Sequence, residues 1–240
     1  MTSKPANPKP RRRFWQYSLR TLFVLVTVFC VWFGWLTYKA NEQRKAVAWV
    51  REMGGRAYYD YESFDELGMN IGEFEPPGPA WLDRLLGVDY RQEVEGVDLV
   101  DTQANDLTPL AGLKNLRWLA IRGTPVSDLT LLARLTGLKE LELEYTQVSD
   151  LTPLAKLASL EVLFLSNTQV SDITPLAKLT SLQELYLDGT PVSDITPLAT
   201  LTSLRELYLE GTPVREEQVE ELRRALPKCE IFWTPPDPSP

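Results

Sequence analysis

Glu140, Glu142 and Glu144 are separated by single leucines, as are Glu184 from Tyr186 and Glu206 from Tyr208. Alternate residues of an extended strand share a face, so each set presents its carboxylates and phenols together. Paired carboxylates can serve as general acid and base or flank a glycosidic bond, but that chemistry needs an enclosed cleft around the reacting group. On a repeating strand surface such pairs are ordinarily a solvated face. The 240 residues include no histidine, which removes an imidazole base and a common metal ligand. Two cysteines, Cys30 and Cys229, cannot assemble a zinc site. No Gly-rich phosphate loop and no EF-hand spacing occurs. This inventory points away from an enzyme and implies no cofactor and no dedicated metal site, with a weak Ca²⁺ contact on the acidic columns as the furthest extension.

The strands are set by a repeat. Asp106, Asp128, Asp150, Asp172 and Asp194 each open an Asp-[Leu/Ile]-Thr-Pro-Leu-Ala copy, Asp128 a variant one, and stand 22 residues apart. A fixed step of that size predicts a stacked solenoid, because one unit alone cannot bury its apolar edge. With Leu116 as position 1, Leu119 and Ile121 point inward at positions 4 and 6, and Thr124 is position 9. The frame recurs at Leu138/Leu141/Leu143, Leu160/Leu163/Leu165, Leu182/Leu185/Leu187 and Leu204/Leu207/Leu209. Upstream it takes in Val94, Val97 and Leu99; downstream it takes in Leu226, Cys229 and Ile231, with Cys229 as a small core residue. Seven strand turns follow, the outer two degenerate. Each aspartate suits an N-cap. The short segment behind it predicts 3₁₀ turns on the convex side. Thr102, Thr124, Thr146, Thr168, Thr190 and Thr212 form a column of inward hydroxyls able to satisfy backbone where the strand bends. Residues 215–226 read as a longer amphipathic helix with Val219, Leu222 and Leu226 inward, closing the stack before Pro227.

The outward strand positions define a concave face. Position 5 runs through Glu142, Phe164, Tyr186, Tyr208 and Glu230; position 3 through Trp118, Glu140, Glu184 and Glu206; position 7 through Asp188, Glu210 and Phe232. Units stack about 4.8 Å apart, so Phe164, Tyr186 and Tyr208 form an aromatic ladder between acidic columns. The candidate ligand-binding residues are Trp118, Glu140, Glu142, Phe164, Glu184, Tyr186, Asp188, Glu206, Tyr208 and Glu210. They suit a protein or peptide with a basic surface, or an envelope polymer of that charge. The competing reading is an inert face on a structural or self-associating scaffold, the aromatics merely packing across strands.

Ahead of the repeats, Thr21–Tyr38 is an uncharged run of 18 residues between Arg20 and Lys39. As a helix it spans about 27 Å, enough for a hydrocarbon core. Trp15, Trp32, Trp35 and Tyr38 sit near its ends, as interfacial residues do. A cleaved signal is the alternative, but the run ends without a small-x-small site. Six basic residues precede the span and five lie in the twenty residues after it. The slight excess favours a cytoplasmic N-terminus and repeats outside a cell membrane. Residues 1–45 hold nine basic and one acidic residue, against 16 basic and 32 acidic beyond. The basic arm suits anionic headgroups, and the acidic body argues against nucleic acid.

The expected organisation is a basic arm (1–20), a transmembrane helix (21–38), a juxtamembrane helix, linker and cap (39–93), the repeats (94–232) and a disordered Pro-rich tail (233–240). Within the linker, 41–53 continues the helix to a stop at Gly54-Gly55, 56–61 is a strand, 76–79 a break and 81–86 a short helix capping the strand at Val94.

The repeat resembles the leucine-rich repeat family, in the 22-residue class of internalin-like bacterial proteins. That resemblance implies an α/β fold, a right-handed leucine-rich-repeat solenoid with a curved parallel sheet and a concave binding face. Internalins commonly carry Asn at position 9, where this chain carries Thr. The anchor Ser18-Leu19-Arg20-Thr21-Leu22, followed by Gly-Gly-Arg and the repeats, is similar to membrane-anchored bacterial leucine-rich repeat proteins. Neither likeness implies a catalytic activity.

Overall fold

A computed structural model describes residues 19–60, 87 and 92–235. The expected break at 76–79, the helix at 81–86, most of the basic arm and the last five residues of the tail lie outside them. The chain divides into two compact units, with the boundary between Tyr38 and Lys39.

The first unit contains the N-terminal part of helix α1, which runs Leu19–Glu52. Its apolar stretch has mean hydropathy 1.9 and is unburied, and the helix is long and apolar enough to cross a membrane. Phe29 lies on Phe33 one turn on, with ring centroids 5.9 Å apart.

The second unit opens with the end of α1. Ala46, Val47 and Val50 are buried in the core of the repeats. Gln43 holds the start of the sheet from both sides: its amide donates to the Gln92 carbonyl at 2.8 Å, and its oxygen accepts from Val94 N–H at 3.4 Å. Lys39 pairs with Glu93. The helix stops as expected at the glycines. Gly54 turns left-handed with φ 85°, and Gly55 N–H donates to the Val50 carbonyl at 2.9 Å.

Strand β1 (Arg56–Tyr59) then pairs antiparallel with β2 (Val94–Asp98). This neighbour lies outside the repeat, whose period of 22 carries no signal for an antiparallel strand. Six parallel neighbours follow in chain order: β3 (Trp118–Ala120), β4 (Glu140–Glu142), β5 (Val162–Phe164), β6 (Glu184–Tyr186), β7 (Glu206–Tyr208) and β8 (Glu230–Phe232). Leu119, Leu141, Leu163, Leu185 and Leu207 stand in register and are fully buried. Each such side chain contributes roughly 1.5–3 kcal/mol of burial. The core is therefore a continuous column, shared by neighbours.

Five 3₁₀ helices form the convex side among the described residues: Thr108–Gly112, Thr130–Arg134, Thr152–Lys156, Thr174–Lys178 and Thr196–Thr200. Their N-cap positions are held by Leu107, Leu129, Leu151, Ile173 and Ile195, not by the aspartates. The cap residue is a core residue here, so the aspartate sits one place earlier. From there Asp150, for example, accepts the Thr152 N–H at 2.8 Å in an Asx turn. The threonine column satisfies backbone as expected, each hydroxyl donating to the carbonyl three residues back at 2.5–2.8 Å.

Helix α2 (Glu216–Ala225) closes the stack with Val219 and Leu222, joined by Leu226 beyond its end. The Gln218 side chain accepts the Arg215 N–H at 3.3 Å. Arg223 donates to the Ile231 carbonyl at 3.4 Å and so covers a polar group of the outermost strand. The longer helix displaces the last strand by two residues. Phe232 stands opposite Tyr208 and Ile231 opposite Leu207. Ile231 thus takes inward position 4, Phe232 joins position 5 and Glu230 joins position 3. Cys229, expected inside, is half-buried just before the strand.

Candidate functional site

The ladder on the concave face has four rings. Phe164 stacks on Tyr186 with centroids 4.3 Å apart and 16° between planes, Tyr186 on Tyr208 at 4.3 Å and 9°, and Tyr208 on Phe232 at 4.4 Å and 12°. The parallel strands enforce this, since register places each ring directly over the next. Phe232 was missed as a member: positions 4 and 6 both point inward, so an inward Ile231 does not by itself tell which outward column Phe232 joins. The four rings are half-buried. Because they stack on one another, their faces are largely occupied and their edges are what a ligand meets.

The phenols are oriented by the acidic column beside them. Tyr186 donates to Glu184 at 3.2 Å and Tyr208 to Glu206 at 2.9 Å. Burial and the Glu184 carboxylate push the Tyr186 hydroxyl well above the usual phenol range. On the other flank Asp188 accepts from the Glu210 N–H at 2.7 Å and from the Ser166 hydroxyl at 3.4 Å, tying its unit to both neighbours.

Glu140, Glu142 and Glu144 occupy the unit before the ladder. Burial first, then Glu142 and Glu184, raise Glu140 to about 6. Burial also raises Glu142, against the hydrogen bond from Trp118 Nε1 at 3.2 Å and the charge of Arg122. Glu144 is raised by burial, with Glu142 and Asp188 adding to it and Arg122 opposing. Trp118 lies over Gly96 and meets Tyr58 of β1 at 5.7 Å between centroids. A side chain at Gly96 would collide with the Trp118 ring. Trp118 therefore closes the near end of the face, and the acidic unit separates it from the ladder.

The predicted residues thus fall into connected groups on one sheet face, with Trp118, Glu140 and Glu142 at one end and Phe164 to Glu210 along the rest. A groove of about 800 Å³, lined by residues that include Gln183, Arg205, Glu206 and Lys228, runs beside the Glu184–Glu206 column. Among the described residues no cluster of acids and cysteines is arranged to hold a metal ion. Cys229 is raised to about 11 by burial and by Glu206, which keeps it a thiol at neutral pH.

The model for leucine-rich repeats in two copies matches residues 158–200. No curated protein matches the chain. The solved structure of internalin C2 from Listeria monocytogenes is similar, with 31% identity and a TM-score of 0.52, covering 62% of this chain and 75% of that one. A leucine-rich repeat protein of Leptospira interrogans is similar at 25% identity and a TM-score of 0.54, covering 68% of this chain and 42% of that one. With the seven-strand parallel stack, the convex 3₁₀ turns and these likenesses, the chain belongs to the leucine-rich repeat family, in its internalin-like class.

Proposed function

We propose that residues 21–38 anchor the chain as a single membrane pass and that the concave face binds another protein through a basic, extended segment. The reading rests on one observation, the four-ring ladder between two carboxylate columns. Aromatic anchors beside charge are what protein-binding surfaces use. The flanking acids attract a basic segment and set its register. A flat sugar ring is served less well, because it would need the ring faces already spent on stacking. The face works by binding and not by turnover: the acids lie on an open sheet, without an enclosed cleft. The N-terminus is cytoplasmic and the repeats lie outside.

A photo-reactive amino acid in place of Tyr208 in the full chain, expressed in cells, tests the binding face. The reading expects one dominant cross-linked protein, lost when Tyr186→Ala is added. Cross-links only to further copies of the chain would point instead to a self-associating scaffold. Protease treatment of intact cells and of inside-out vesicles, with an epitope tag after Pro240, tests the orientation: digestion from outside is expected, and protection in cells with digestion in vesicles would reverse it.

A further inference from the structure

Position 8 of the successive units is Asp101, Gly123, Tyr145, Asn167, Gly189 and Gly211, and all six are left-handed, with φ between 56° and 69°. Glycine takes that conformation freely, and Asn and Asp tolerate it through local hydrogen bonds. A tyrosine enters it only against the clash of its Cβ with the backbone. The backbone's task here asks for no side chain. Tyr145 N–H donates to the Ser166 carbonyl at 3.1 Å, as Gly123 does to Glu144 and Gly189 to Glu210. Nor does packing ask for it: the side chain is 63% exposed, the one exposed large hydrophobic from Lys39 onward among the described residues. A strained backbone that carries an exposed aromatic is a pointer to use of that side chain.

Tyr145 follows Glu144 at the edge of the concave sheet, in the unit next to the first ring of the ladder. Glu144 stands beside it, with Glu142 and Asp188 adding negative charge to that site and Arg122 of the preceding unit offsetting part of it. Unlike the ladder rings, it is in no ring pair among the described residues, so its face is open to a cation. We propose that Tyr145 is a second contact for the basic segment read onto the concave face above, its ring stacking on an arginine of the partner as the segment leaves the ladder over the rim. The inference rests on that reading. It adds the residue that sets preference for arginine at one position.

The test uses the full chain in detergent micelles at physiological salt, with a fluorescein-labelled alternating arginine–serine peptide long enough to cross all the units, read by anisotropy. A glutamate–serine peptide is the control. Tyr145→Gly is expected to raise Tm by roughly 2–4 °C. The same variant weakens the peptide roughly tenfold, whereas Tyr145→Phe binds like the parent. Parent-like binding by Tyr145→Gly, with weakened binding by Tyr186→Ala/Tyr208→Ala, overturns the Tyr145 contact and leaves the concave-face reading in place. A lowered Tm for Tyr145→Gly also overturns it, since the ring would then be structural. If the peptide does not bind the parent, or both variants bind it unchanged, the concave-face reading fails and this inference fails with it.

Discussion

The ring of Tyr186 lies on that of Tyr208 with 4.3 Å between centroids and 9° between planes, and each hydroxyl donates to the glutamate two residues before it. Stacking and hydrogen bonding together fix both rings. Replacing either tyrosine by alanine is expected to cost about 1 kcal/mol. The double variant costs less than the sum, with a coupling of about 0.5–1 kcal/mol. Chemical denaturation of the four proteins measures it, and strictly additive losses would mean that the rings are neighbours without interaction.

Most of this face was legible because the repeat keeps phase. Once Leu119 and Leu141 are inward, Phe164, Tyr186 and Tyr208 must share an outward column, since strand alternation and a step of 22 allow nothing else. Legibility ended where phase was lost. Helix α2 lengthens the last unit, so a frame carried forward by 22 set Phe232 and Glu230 two positions astray and took Cys229 inside. The aspartates were placed correctly on the convex side, but one residue outside the cap, because a polar pattern does not reveal that the buried Leu151 or Ile173 must stand at the cap itself. Tyr145 was invisible for another reason: position 8 is defined by a left-handed backbone that a tyrosine gives no reason to expect.

Glu140 should make stability and binding depend on pH in opposite directions. Its folded pKa is raised from 4.5 to about 6, so the folded state holds the extra proton between those values. Stability from this group is then full below about 4.5 and falls as pH rises through about 6. Over the same interval the carboxylate gains the charge that attracts a basic segment. Glu140→Gln is expected to raise Tm at pH 7.5, leave it nearly unchanged at pH 4.5, and flatten the profile between. Thermal melts across that range check it; an equal shift at every pH would show that the carboxylate's charge is not the cause.

Asp150 carries the reverse sign. The Thr152 hydrogen bonds hold its carboxyl below the usual range of 3.8. Its contribution is present above that value and is lost as pH falls through the lowered folded pKa. Asp150→Ala should therefore depress Tm at neutral pH and matter little near pH 2. A variant whose deficit persists unchanged in acid would place the effect in the backbone turn and not in the charge.

Thr168 tests the inner column. Its hydroxyl is buried and donates to the Leu165 carbonyl at 2.7 Å, at the bend that leaves the strand. Valine matches its shape but leaves that carbonyl without its side-chain donor, at a cost of about 1–2 kcal/mol. Serine keeps the donor and gives up one buried methyl, about 0.8 kcal/mol by transfer. The two substitutions separate polar satisfaction from packing. If Thr168→Val unfolds at lower denaturant than Thr168→Ser, the hydroxyl column is a hydrogen-bonding device. The reverse order would make it a packing column in which the oxygen is incidental.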